Sequence, residues 1–263
     1  MLRPIIVAIA LTSLGIATSV QAANIVQVKQ LIKTGQCVRC DLSKANLVGQ
    51  DLSNHNLSYA NLSQADLTNT NLTNTNLSSA NLSGAKLAGA ALGATNLVNA
   101  NLSGAYMVGI KRSPFTDATS NLTNANLKGA NLTDAKIGSP ITGYGAVLIN
   151  LTGADLTGAD LSGATMSYDS LVGANLSNAI LTGTNFFGSN LTNANFTKAN
   201  LSGADLSYSN LTKANFGGAT VSGVNFANVK FAGTNFTGAR VSNPINLPNP
   251  LQGTTGLGSS FAP

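Results

Sequence analysis

The chain has 263 residues, with 14 Lys and Arg against nine Asp, no Glu and a single His, so its formal net charge is +5 and only 9% of its residues are charged. So few acids, bases and nucleophiles leave little from which to build a catalytic group or a metal centre, and the sequence argues against an enzyme and against a cofactor. The mild basicity is scattered, without the basic stripe that nucleic acid requires, and no nucleic-acid partner is expected.

At the N-terminus Arg3 precedes an apolar run from Ile5 to Ala17, and Val20-Gln21-Ala22 comes next with small residues where a signal peptidase reads. The run is too short to span a bilayer comfortably, so residues 1–22 read as a secretory signal peptide cleaved after Ala22 or Ala23, the alternative being an uncleaved anchor. Its removal leaves thirteen basic residues against nine Asp, a net +4, and an exported chain with no membrane span. Residues 23–36 then read as a short capping helix: Ile25, Val28, Leu31 and Ile32 fall at helical spacing and Gly35 suits a C-terminal stop. A partner-binding amphipathic helix is the competing reading.

Cys37-Val38-Arg39-Cys40 holds the only two cysteines. A redox-active pair, half of a metal site and a structural disulfide all fit the spacing. A zinc site needs two more ligands where His55 is the only histidine, and a thioredoxin-like dithiol needs a strand-helix context that is missing. In an exported chain the disulfide is the default, pinning the cap to the body of the chain.

From Leu42 to Met107 every fifth residue is large and apolar, fourteen positions of which thirteen are leucine. The position two before each holds Cys40, Ala45, Gln50 and His55 before settling to Ala60 and Ala65. From residue 108 to 121 the pattern lapses, with Arg112 and Asp117 at would-be apolar positions. It returns at Leu122, Leu127, Leu132 and Ile137, and lapses again over 138–149, where the phase slips by one. From Leu151 to Val241 it then runs nineteen times without a miss, in units such as Ala154-Asp155-Leu156-Thr157-Gly158 and Ala199-Asn200-Leu201-Ser202-Gly203. The segment 242–263 is rich in Pro and Gly and ends the pattern.

A period of five fits neither regular structure. In a strand, residues five apart face opposite sides. In an α-helix, each step of five turns the side chain by about 140°, scattering the leucines around the cylinder. The backbone must therefore bend once per unit, with Ala and Leu facing in, the Asn or Asp between them facing out, and Ser/Thr-Gly supplying the turn. Stacked bends make an all-β solenoid with a Leu/Ala core. Both breaks are candidate recognition loops, with Lys111, Arg112 and Phe115 in the first and Tyr144 in the second, because loops on rigid scaffolds carry recognition; the competing readings are degraded corners sealed by Phe115 in the first and a loop that packs back in the second.

These units resemble the pentapeptide-repeat family over roughly residues 40–241. The resemblance implies a right-handed quadrilateral β-helix with four units per coil over residues 37–241. Four-sided closure would stack Phe196, Phe216 and Phe236 on one wall and align Ser162, Thr182, Ser202, Ser222 and Ser242 as a hydroxyl column. With its helix and cysteine pair the chain looks like the exported cyanobacterial branch. The function these features suggest is a non-enzymatic scaffold in the periplasm or thylakoid lumen that binds a protein partner, with a homodimer through a terminal coil as one arrangement. Two alternatives are a DNA-mimic modulator of gyrase, drawn from the family, and binding of an ordered lattice or glycan by the hydroxyl column.

Overall fold

The computed structural model describes residues 19–107, 127, 132, 135, 137, 149–246 and 254–256, and of residues 19–24 the backbone alone. A helix α1 (Ser19–Thr34) precedes a ladder in which only β1 (Thr220–Ser222) and β2 (Arg240–Ser242) are longer than a single bridge. Everywhere else the described pairing is one parallel bridge per face, always between residues twenty apart, from Gln36↔Asn56 to Asn235↔Thr255. Four five-residue bends per coil close the chain into a right-handed quadrilateral β-helix.

In a unit with Asn or Asp before the central residue every amide is bonded. In Asn61–Ala65 the Asn61 N–H donates to the Cys40 carbonyl one coil below (2.8 Å), and Leu62 and Gln64 donate to the Asn81 and Ser83 carbonyls one coil above (2.7 and 2.8 Å). Ala65 closes the turn onto the Leu62 carbonyl (3.0 Å). The fifth donor, Ser63 N–H, is taken by the Asn61 side-chain oxygen (3.2 Å). This completes the accounting that a buried backbone demands. The turn thus depends on the Asn or Asp before the leucine more than on the hydroxyl after it, a correction to the sequence reading. In this position Asp41 and Asp51 are held below the ordinary carboxylate range, foremost by the hydroxyls and then the amides of Ser43 and Ser53.

The corner residue takes positive φ, as the glycines suggest, but Asn54, Asn178 and Lys198 adopt it too at φ between 57° and 59°. The third residue of a type II turn requires this region, which Asn tolerates best after Gly. Inside, the central residues from Leu42 to Met107 and from Leu151 to Phe226 are at most 1% exposed. Where Thr replaces Ala at the inward small position its hydroxyl is bonded, as with Thr184 to the Leu161 carbonyl and Thr234 to the Leu211 carbonyl (both 2.8 Å). Phe196, Phe216 and Phe236 stack as four-sided closure predicts, with centroids 4.7 and 4.9 Å apart.

Helix α1 covers the expected capping segment and ends where Gly35 at φ 68° returns its N–H to the Leu31 carbonyl (2.8 Å). Val28 and Leu31 are buried against the first coil, but Ile25 and Ile32 stay on the outer side. The helix lies across the coil and offers it a narrow stripe. At the other end Ile245 and Thr255 continue the ladder onto Asn225 and Asn235, so part of the 242–263 segment folds over the last coil.

The second break leaves the walls in line. In the intact arrays a central amide donates to a carbonyl nineteen positions on, as Leu42 does to Asn61. Across the break Leu127 donates to Asp155 and Ile137 to Thr165, in each case twenty-eight positions on. The excess of nine accounts for the one-residue phase slip: nine is one short of two pentads, so the stretch adds nine positions to a normal coil and the walls still meet.

Leu201→Asp should abolish cooperative folding, since an unpaired charge in a dry wall costs several kcal/mol. Asn195→Ala removes the acceptor for Thr197 and the donor to Asn175 and should cost about 1–2 kcal/mol. Urea unfolding checks both, and a Leu201→Asp variant as stable as its parent contradicts the core assignment.

Candidate functional site

The structure bonds Cys37 to Cys40 as a disulfide. Cys37 stands where a central leucine would be and Cys40 where the inward alanine would be. Both are buried, so the bridge replaces the apolar contact of the first corner. Beside it His55 is half-buried against Gly35 at the end of α1, with Nδ1 2.8 Å from the Ser53 carbonyl. Gln50 is also half-buried. These two polar residues sit at the capped end, where solvent reaches them.

Lys111, Arg112, Phe115 and Tyr144 lie outside the described residues. The hydroxyl column is less free than its alignment suggests: Ser162 and Ser202 donate to Asp160 and Asn200 of their own turns, and Ser242 donates to Ser222. Among the described residues no cluster of His, Cys, Asp or Glu could hold a metal ion, and no helix is long and apolar enough to cross a membrane.

Two features went unread in the sequence. The first is Asp169, fully buried at an inward small position. Its signal was legible, because counting two back from Leu171 places a carboxyl where Ala154 and Ala174 stand. Asp169 Oδ1 accepts the Ile149 N–H (2.9 Å). That amide would ordinarily close a turn, as Ala154 does onto Leu151 (3.0 Å), but Ile149 re-enters the wall straight after the second break. The carboxyl one coil above takes over the acceptor's role. Its Oδ2 has no hydrogen-bond partner among the described residues, and burial, opposed by the Ile149 amide, pushes the pKa up to about 8. Burial thus favours the protonated, uncharged form of Asp169.

The second is an aromatic corner directly outside Asp169. Tyr168 and Tyr208 occupy turn positions two coils apart, with Gly188 between them and Phe187 beside it. The Phe187 ring lies 5.3 Å from Tyr168 and 5.1 Å from Tyr208. Tyr168 lies over Gly188 so closely that a Cβ there would collide with its ring. The rings cover Ser167 and Ser207, both buried. Asp169, Ser189 and Ser209 line the inner side of the same corner, Ser189 bonded to the Met166 carbonyl and Ser209 Oγ without a partner among the described residues.

A carboxyl whose folded pKa is raised from 3.8 to about 8 favours the protonated fold. Its contribution to stability is full below about 3.8 and is lost as pH rises toward 8. The melting temperature should therefore fall by roughly 5 °C or more between pH 5 and pH 9. Asp169→Asn keeps the acceptor for Ile149 without a charge and should flatten that fall and melt above the parent at pH 9. Scanning calorimetry across pH checks this, and parallel pH profiles would contradict it.

Set beside known proteins, the chain matches a family profile described as pentapeptide repeats (8 copies) over residues 36–74, 75–111, 119–137, 149–168, 170–207 and 209–243. No curated protein matches. Among solved structures it is similar to HetL, a pentapeptide repeat protein involved in heterocyst differentiation regulation in the cyanobacterium Nostoc sp. strain PCC 7120. The identity is 26%, 88% of this chain and 97% of HetL are covered, and the TM-score is 0.51. Weaker likenesses are to a pentapeptide repeat protein of the Arabidopsis thaliana thylakoid lumen (26% identity, 38% and 66% covered, TM-score 0.33) and to full-length QnrB1, a plasmid-mediated fluoroquinolone resistance protein (18%, 79% and 92%, 0.39). With the repeat matched over most of its length and the four-sided coil in place, the chain belongs to the pentapeptide-repeat family.

Proposed function

We propose that this protein is a non-enzymatic scaffold that binds a protein partner in an exported compartment, the periplasm or the thylakoid lumen, after losing a signal peptide that ends at Ala22 or Ala23. The observation that carries this reading is the Cys37–Cys40 bridge standing in for core side chains at the first corner, because such a bond persists only where the surroundings are oxidising. The leader-like N-terminus agrees with it. Where Asn or Asp precedes the central residue the backbone donors are bonded internally, so the rod offers a partner chiefly its side chains and its interruptions. The first of those interruptions, 108–121, sets Lys111 and Arg112 beside Phe115, and the second, 138–149, holds Tyr144.

Support also comes from HetL, whose described involvement in the regulation of differentiation suits a fold that presents a surface. A DNA mimic would need columns of carboxylates. The columns here include Asn61-Asn81-Asn101, neutral amides bonded to one another at 3.3 Å, and this favours the scaffold over action on gyrase.

The test is fractionation of a C-terminally tagged chain with intact-mass and thiol analysis. The reading predicts a mature N-terminus at Ala23 or Asn24, a periplasmic or lumenal fraction, and cysteines that alkylate only after reduction. A full-length cytosolic protein with free thiols contradicts it. Co-purification from that fraction should recover a partner that a Lys111→Ala, Arg112→Ala, Phe115→Ala triple variant releases, and equal recovery by the variant removes the loop from the interface.

A further inference from the structure

The aromatic corner has no counterpart among the described corners. Tyr168 and Tyr208 hold positive φ of 64° and 59°, a region that costs an aromatic residue more than the Gly or Asn found at most other corners. They remain 39% and 59% exposed, and the half-buried Phe187 joins them into one strip. Burial of the rings therefore does not offset the backbone cost. The strip runs along the rod axis across three consecutive coils, so Tyr168 and Tyr208 are about 10 Å apart at the inter-strand spacing.

The polar groups beside the strip are available as well. Asn190 and Asn210 come after the corner on the next face, one coil apart. Their Oδ1 atoms accept from Thr192 and Thr212, while their Nδ2 groups have no partner among the described residues. On the neighbouring wall the equivalent amide is engaged, as in Asn195 Nδ2 to Asn175 Oδ1 (3.1 Å). The corner thus combines an apolar strip with a row of neutral hydrogen-bond donors at the same repeat. The nearest cation in these columns is Lys230, one coil beyond Asn210.

We infer that this corner, Tyr168, Phe187 and Tyr208 with Asn190 and Asn210, binds an extended β-1,4-linked polysaccharide strand lying along the rod axis. A pyranose ring presents an axial C–H face that packs on aromatic rings and equatorial hydroxyls that accept from carboxamide N–H groups. In an extended β-linked chain each sugar advances by a length close to the coil rise, so successive sugars meet successive coils. A peptide strand fits less well in register, because its same-face side chains recur at about 6.6–6.8 Å against a coil rise of about 4.8 Å. The site differs from the hydroxyl column, whose members bond within their own wall, and it does not depend on the partner loop.

The experiment is calorimetric titration of the purified protein with three hexasaccharides: β-1,4-linked glucose, β-1,4-linked N-acetylglucosamine and α-1,4-linked glucose. Tyrosine emission is followed in parallel, since the chain has five Tyr and no Trp. At least one β-linked probe should bind saturably and the helical α-linked probe should not. Tyr168→Asn and Tyr208→Asn, which place a residue native to such corners, should each weaken binding tenfold or more with unchanged circular dichroism. Tyr59→Asn, at an equivalent corner near the cap, should leave it unaltered. Absence of saturable binding to both β-linked probes, equal binding of the α-linked one, or undiminished binding by the Tyr168→Asn/Tyr208→Asn double variant would overturn the assignment. A protein recovered from extracts through this corner in place of any glycan would overturn it too.

Discussion

The carboxamide of Asn61 lies on the outer surface, yet its oxygen accepts the amide of Ser63, and the same contact recurs from Asp41–Ser43 to Asn235–Thr237. A chain that bends every five residues can pair four of its five amides with neighbouring coils or its own turn, and the fifth needs a side chain. Asn and Asp are the residues short enough to reach it. Given that contact, the leucine can point along the axis and the coil can repeat. Where that position holds Lys86 or Ile180 the ladder continues without such an acceptor, so the contact reinforces a coil that the axis residues and the inter-coil amides already define.

A rod built this way is quiet chemically. Its acids and amides serve the backbone, its leucines fill the axis, and its phenylalanines widen the core toward the C-terminal end, where Phe226, Phe231 and Phe236 pack with centroids 5.5–6.4 Å apart. Exceptions to the repeat are therefore informative. The disulfide replaces the first core contact, Asp169 rescues an amide left behind by the second break, and the Tyr168–Phe187–Tyr208 corner places rings where the turn prefers Gly or Asn. Asp169 and the aromatic corner share one bend, the acid inside and the rings outside, so the re-entry point of the second break sits one coil below the start of the aromatic strip.

Much of the fold was legible because a period of five has few physical solutions. The core positions and the corner glycines come from counting, the phenylalanine stack needs the four units per coil that the family resemblance implies, and the cysteine pair was read as a disulfide from the exported context. Residues such as Asn61 were read only as facing solvent, since a pattern shows which side a residue is on and not what its oxygen touches. Asp169 was missed although its register gave it away: an acid between Tyr168 and Ser170 looks like turn chemistry until its place in the wall is counted. The aromatic corner was invisible for another reason. Tyr168, Phe187 and Tyr208 become neighbours only once coils of twenty are stacked, and their unequal separations along the chain mean nothing in a linear reading.

Amide hydrogen exchange detected by mass spectrometry or NMR tests the central claim most directly, since it reports each donor in the repeat separately. Strong protection is expected at central amides such as Leu62, Leu156 and Leu201, which bond to the next coil, and at turn-closing amides such as Ala65 and Ala204. Earlier exchange is expected at surface amides held only by a side chain, such as Ser63 and Thr197, giving a five-residue rhythm along both arrays. Protection that ignores that rhythm, or fast exchange at the central amides under conditions where the protein is folded, would contradict it.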